Sequence, residues 1–402
     1  MNASRLHIQV ALALAGRLCV WGLLCLALNL CGFRLFAAEL EVKVGVLSRY
    51  GLTSVVLQGA GLQVWGEGIQ GESRFLEAPR DSVALWAVGN GVAVGGNVPF
   101  RKLRVRSTAG RISVTDGKVL FGRFGGELRV EARDGRLGFV ESLPLEAYVR
   151  RVLAGEMSED FPMEAQKAQA VLIRSYALAH RGRHAAEGFD FCDLTHCQTY
   201  GGLAAESGIR DEALRATRSL VMSHGGKPIE GLFHSTCGGH TSANQRVFGG
   251  RPLPYLQGVD DRDYCAASPH SVWSGRIPLE KISAALAVDD RLRASIPLHG
   301  LAAGDREPGG RVFSMRLPGP RSGEIATMEF LSRVGKALGW NQVKSNWFDV
   351  TVEEGVAVFH GRGLGHGVGL CQWGARGMAL SGSRFDEILR HYFPGAQLRR
   401  LP

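Results

Sequence analysis

Between Pro144 and Gly182 two helical patterns follow one another with only a short break, so any fold must give both an apolar partner. In PLEAYVRRVLAG, residues Leu145, Tyr148, Val149, Val152 and Leu153 recur at helical spacing and form one stripe. Pro144 suits a first helical position, and Gly155 reads as the stop. Pro162 opens a second helix, MEAQKAQAVLIRSYALAHRG, ended by Gly182. Its buried side is Ala165, Ala168, Leu172, Ile173 and Tyr176, and its many alanines imply close packing against a neighbour.

The flanks read differently. From Glu39 to about Val140 the chain alternates apolar and polar residues, as in LEVKVGVL (Leu40–Leu47), which is the pattern of half-buried strands. The DGR of Asp134–Arg136 is a hairpin signal. Beyond the helices come a Cys/His loop at 183–202 and a basic amphipathic helix expected within 206–224. Glycine-rich turns and short β-like runs follow from Lys227 onward. Within them, Thr327–Trp340 reads as a helix in a small insertion, Trp347–Gly363 as a hairpin, and Ser383–Phe393 as a closing helix. The expected fold class is α+β, with a β-rich N-terminal region (39–140) and a domain at 141–398. In that domain a helical core and a glycine-rich mixed β/α part form one groove. Glycine, at 54 of 402 residues, is nearly twice its usual share of about 7% and sits in tight clusters, so close backbone approach is a theme of the fold.

Residues 1–38 read as an export signal: Arg5 and Arg17, the apolar core LCVWGLLCLALNLCGF, then Ala37 and Ala38 before Glu39. A cleaved signal ranks first, an uncleaved signal anchor second and a lipoprotein site at LNLC third. Each places the body outside the cytoplasm, in the periplasm or cell envelope, with membrane attachment only through this segment. Five cysteines remain beyond it: Cys192, Cys197, Cys237, Cys265 and Cys371. Disulfides persist in such a compartment. A net charge of +9 favours an anionic partner. The absence of a Lys/Arg run or a groove-reading helix signature argues against nucleic acid.

Three groups of residues carry chemistry. Glu156 follows an apolar helix, where enclosure would raise its pKa and make it a usable acid near neutrality. In HAAEGFDFCDLTHCQTYGG, Cys192, His196 and Cys197 are zinc-type ligands that His184 or His180 would complete. The same residues also read as a Cys192–Cys197 disulfide or as free thiols. The third group is a pair of glycine–histidine loops, HSTCGGHT within 234–250 and GRGLGHGVGLCQWGARGMA at 361–379, which put His240 and His366 on backbone that can approach a ligand.

In this order the four segments resemble the SpoIID/LytB family, the stage II sporulation protein D-like proteins. They are LEAYVRRVLAGEMSEDFPMEAQKAQAVLIRSYAL, the Glu motif within 145–180; FDFCDLTHCQTYGG; HSTCGGHTSANQRVFGG…PYLQGVDD; and GRGLGHGVGLCQWGARGMA. The resemblance covers about residues 40–398. It implies a peptidoglycan lytic transglycosylase that cuts the bond between N-acetylmuramic acid and N-acetylglucosamine in glycan strands stripped of stem peptides, leaving 1,6-anhydro ends. Its catalytic glutamate falls on Glu156, and its zinc loop on Cys192, His196 and Cys197, with His184 the better-matching fourth ligand. No organic cofactor is implied. The alternative is a non-catalytic wall-binding protein that enhances an N-acetylmuramoyl-L-alanine amidase. Expected groove residues are Arg174, Tyr176, Gln198, Tyr200, His240, Arg362, His366 and Gln372, with Arg376 in the same motif. Glu159 and Asp160 are the candidates for a helping second carboxylate. Cys237 and Cys371 stand where serine is frequent in the family, and Cys237 with Cys265 is a candidate disulfide.

Overall fold

The computed structural model describes residues 40–401 except 69–70, 78–80, 96–98, 206 and 309, so the export-signal reading of 1–38 lies outside the described residues. Strand alternation at the start is plain: Val42, Val44 and Val46 are buried and Lys43 is exposed. A seven-stranded sheet has the spatial order Phe191–Cys192, Glu41–Val46, Arg136–Pro144, Glu127–Arg133, Lys102–Ser107, Leu62–Glu67, Ser73–Glu77. A five-stranded sheet runs Gly91–Val94, Ser82–Val88, Ser54–Gln58, Ile112–Thr115, Leu120–Phe124. The two sheets pack on each other through side chains such as Leu57, Leu85, Val105 and Val130. The expected hairpin at Asp134 is present, with Arg133 opposite Arg136 and the turn made by Asp134 and Gly135 at positive φ.

Strand Arg136–Pro144 runs straight into helix α1 (Leu145–Glu156), and α2 (Met163–Ala179) follows after Pro162. The expected stripe of α1 is buried throughout, and α2 is buried on most of its circumference. Gly155 is not the stop: α1 continues through it to Glu156. A Cβ at Gly155 would lie 2.7 Å from the carbonyl oxygen of Thr199. Glycine here lets the 198–200 segment lie against the helix.

The helix expected over 206–224 is shorter than its pattern. It spans Gly208–Ala216 (α3), capped by the Ser207 side chain, after which Ser219 takes a positive φ. Leu220–His224 is then a strand pairing with Gln397–Arg400. The apolar run that looked like a helix face is a buried strand whose partner lies at the far end of the chain.

Downstream, α4 (Asn244–Phe248) follows the first glycine–histidine loop. Residues 273–359 then build a second apolar core around Ile282, Leu286, Met315, Phe330, Phe348 and Phe359. Its helices are α5 (Leu279–Leu286) and α6 (Thr327–Leu338), and its hairpin pairs Phe348–Glu353 with Val356–Gly361. The second glycine–histidine loop returns to the first core: Leu370–Cys371 pairs in parallel with Phe233–His234. Next come α7 (Gln372–Leu380) and α8 (Phe385–Tyr392). Helices and several sheets in separate runs make this an α+β fold. Among the described residues no helix is long and apolar enough to cross a membrane.

Candidate functional site

Three segments meet at the C-terminal end of α1: the Cys/His loop and both glycine–histidine loops. The Cys/His loop is tied to the edge of the large sheet, where Val44 pairs with Phe191 and Gly45 with Cys192. Asp190 and Asp193 fix it further by accepting from the main-chain N–H groups of Lys43 and Leu47. The glycine–histidine loops interlock because Gly363, Gly365, Gly367 and Gly369 all adopt positive φ, a backbone that side chains rarely tolerate. Between the three segments lies a cleft of about 690 Å³.

Glu156 lines this cleft. The main-chain N–H of Thr199 donates to its Oε1 at 2.6 Å, and Gln372 Nε2 donates to its carbonyl oxygen at 3.0 Å. Met157, 3% exposed, packs directly behind it in the chain. Burial raises the Glu156 pKa above the ordinary carboxylate value, and the Thr199 hydrogen bond only partly opposes this. The carboxyl is therefore half-enclosed, oriented by one main-chain donor, with its own backbone carbonyl held by Gln372, and burial favours its protonated form.

Of the expected groove residues, Tyr176, Gln198, His366 and Gln372 line the same cleft as Glu156. Tyr176 accepts from Arg183 Nη1 at 2.9 Å, and burial pushes its hydroxyl up to about 12. Gln198 Oε1 accepts from Tyr148, while its Nε2 is buried without a protein partner. His366 accepts from the Val368 N–H through Nδ1, and loss of solvent holds its pKa down to about 4, so the ring is neutral.

Five of the expected groove residues lie outside this cleft. Arg174 is wholly buried: it grips both oxygens of Glu146 at 2.7 and 2.8 Å and donates to the Leu220 carbonyl, locking α2 to α1. Tyr200 turns inward, donating to Glu141 at 2.6 Å, and Arg151 donates to both of them. His240 and Arg362 are exposed but lie outside the cleft; Arg362 lines a separate hollow with Trp273 and Trp347. Arg376 stacks on Trp373 and also stays outside the cleft. Glu159 pairs with Arg210 on the surface, and Asp160 is exposed. The second carboxylate in the cleft is Glu230, which the sequence reading missed. His234 was missed too: it is buried in the cleft wall with Nδ1 on the Val368 carbonyl and Nε2 unpartnered. The signal for His234 was visible, since it opens the loop that carries His240.

At one end of the cleft, His184, Cys192, His196 and Cys197 each offer a ligand atom within 4.8 Å of the others. Cys197 Sγ lies 3.4 Å from His184 Nε2, and His196 Nδ1 is 3.8 Å from both sulfurs. His184 Nδ1 donates to Glu187 at 2.5 Å, so its Nε2 presents a lone pair to the cluster. His180 stays out, stacking on Tyr176 and facing Glu230. This set can hold a tetrahedral ion.

Comparison with known proteins agrees with these segments. The family described as "Stage II sporulation protein" matches residues 133–224, from the sheet hairpin through Glu156 and the Cys/His loop. An uncharacterized protein of Brachyspira hyodysenteriae is 33% identical over 263 residues, 64% of this chain and 67% of that one. Stage II sporulation protein D of Bacillus subtilis is 28% identical over 279 residues, covering 64% and 75% respectively. A protein named amidase enhancer from the same organism is 26% identical, covering 62% of this chain and 40% of its own length.

Proposed function

We propose, on the premise that this chain belongs to the SpoIID/LytB family, that it is a peptidoglycan lytic transglycosylase acting on peptide-stripped glycan strands. Family membership and the relatives' names support a cell-wall-related function. The finer reading rests on one observation: Glu156 is a half-enclosed carboxyl with a raised pKa, facing a cleft built by all four family segments.

Protonated Glu156 gives its proton to the glycosidic oxygen between muramic acid C1 and the next sugar's O4 as that C1–O4 bond breaks. The carboxylate so formed takes the proton of the muramic acid's C6 hydroxyl while that oxygen bonds to C1. The leaving sugar keeps a hydroxyl, the muramic acid closes to its 1,6-anhydro form, and Glu156 is protonated again. No water is consumed, and the nucleophile belongs to the substrate, so orientation supplies much of the rate. Gln198 Nε2 and Arg183 offer donors to sugar hydroxyls and to the lactyl carboxylate exposed when the stem peptide is removed, and His234 Nε2, left as an acceptor because Nδ1 donates to the Val368 carbonyl, can accept a hydrogen bond from a sugar hydroxyl. The chain's +9 charge suits such a polyanion.

Because the acid must start protonated, kcat/KM falls as pH rises through the Glu156 pKa. The raised pKa places this alkaline limb above the ordinary carboxylate range. A pH profile on stripped strands checks this, and a rate that climbs steadily with pH would contradict it.

The Cys/His cluster fits zinc. Sulfur–nitrogen edges in a tetrahedral zinc site are about 3.6 Å, given Zn–S near 2.3 Å and Zn–N near 2.1 Å. The observed separations are 3.4 and 3.8 Å. With His184, Cys192, His196 and Cys197 all engaged, such an ion has a structural role. These residues pin the loop that delivers the Thr199 N–H to Glu156. Replacing Glu187 by alanine frees His184 Nδ1 and is expected to weaken zinc affinity about 10- to 100-fold, read by competition with a chromogenic chelator.

The amidase enhancer relative keeps a second reading in view: a protein of the cell envelope that binds stripped glycan and stimulates an amidase. Mass analysis of products from purified stripped strands separates the two. Anhydro-muramyl ends support the transglycosylase. No cleavage, with a faster amidase in the same tube, supports the enhancer.

A further inference from the structure

Behind the cleft, a second group of ligand-type side chains converges from three separate segments: Cys237, Asp261, Cys265 and Cys371. All four are buried, and one ligand atom from each lies within 4.8 Å of the other three. Cys237 and Cys265 are unbonded thiols with sulfurs 3.6 Å apart, close to the edge of about 3.8 Å between two zinc-bound thiolates.

The surroundings are arranged for negative sulfur. Cys371 Sγ accepts main-chain N–H bonds from Cys237 and Gly374, each at 3.2 Å, and Cys237 Sγ accepts from Gly239 at 3.4 Å. Outer hydrogen bonds of this kind orient and support metal-bound thiolates. Asp261 is held as firmly: one oxygen accepts the Cys265 N–H at 2.8 Å and the other the Tyr392 hydroxyl.

An independent feature points the same way. Arg311 is wholly buried and donates to the carbonyl oxygens of Cys237 and His240. Its approach to Glu307 is a long 4.0 Å. A buried guanidinium needs an anion near it. A dication held by three thiolates and a carboxylate is net negative, and Arg311 is the cation beside it.

We propose that Cys237, Cys265, Cys371 and Asp261 form a second metal centre, distinct from the His184–Cys197 cluster, that takes a tetrahedral divalent ion of zinc type. A thiolate-rich, closed, four-ligand set selects zinc or iron over magnesium or calcium. The centre clamps the glycine–histidine loops from behind. Cys371 caps α7 and adjoins Gln372, which holds the Glu156 carbonyl, and Cys237 lies on the loop opened by His234. The competing use of the same sulfurs, a Cys237–Cys265 disulfide, would leave the converging Cys371 and Asp261 outside any shared bond.

The test counts metal in the full chain, purified without added metal or reductant, for wild type, C237S/C371S and C192S/C197S. The two clusters predict two ions in wild type and one in each double variant, measured by plasma mass spectrometry. Cobalt exchanged into C192S/C197S should show a sulfur-to-cobalt charge-transfer band in the near ultraviolet. A single ion in wild type that persists in C237S/C371S overturns the proposal. So does a non-reduced digest of the wild type in which Cys237 and Cys265 are joined. The wild-type digest, and the metal count and cobalt spectrum of C192S/C197S, stand even if C237S/C371S does not fold: a C192S/C197S variant that carries no ion overturns the proposal.

Discussion

Replacing Glu156 by glutamine is expected to remove the anhydro-muramyl product from stripped glycan strands, with the rate falling about 10²- to 10⁴-fold. Glutamine keeps an oxygen to accept the Thr199 N–H, and the backbone carbonyl that Gln372 holds is untouched. The loop geometry and strand binding should therefore survive, and only the transferable proton is lost. Product mass analysis with a parallel strand pull-down reads both. If E156Q cleaves as fast as wild type, the acid is some other group, and Glu230 is the first to test.

The second large effect concerns stability. Glu141, wholly buried in strand Arg136–Pro144, accepts from the Gly125 and Gly126 N–H groups, from Arg151 on α1 and from Tyr200. Glu141→Ala would leave the Arg151 guanidinium, itself only 6% exposed, without its carboxylate. Removing one partner of a buried pair costs about 3–5 kcal/mol, because the remaining charge stays desolvated. Urea unfolding of the variant should show a loss of that size. A change below about 1 kcal/mol, the range of an exposed pair, would mean that water reaches Arg151.

What could be read in advance follows from the range of each interaction. Helices α1 and α2, the Asp134 turn and the Phe348–Gly361 hairpin are written in local periodicity, and local periodicity is visible in one chain. Leu220–His224 was taken for helix because its strand partner, Gln397–Arg400, is far away in sequence. Gly155 looked like a stop because nothing nearby in sequence shows that Thr199 will lie against it. Arg174 and Tyr200 sit in motif segments, yet motif position does not say which way a side chain turns. Their partners, Glu146 and Glu141, lie on the preceding helix and strand. Glu230 and His234 escaped notice for the complementary reason. Each is an ordinary residue in its own neighbourhood, and only the folded chain brings them to Glu156.

The second core has a consequence for how such proteins can diverge. It leaves and rejoins the main body at one place, where Trp273 pairs with Gly361, so its far side carries little obligation to the cleft. Its near edge carries a great deal: Arg311 reaches out of this core to hold the Cys237 and His240 carbonyls, and a Cβ at Gly367 would strike its guanidinium. Selection can therefore remodel the outer surface of residues 273–359 for new neighbours while the inner rim stays frozen. The insertion behaves as an adaptable handle on a fixed rim, where Arg311 is joined by Glu307 on Ser242 and Ser345 beside Gly365.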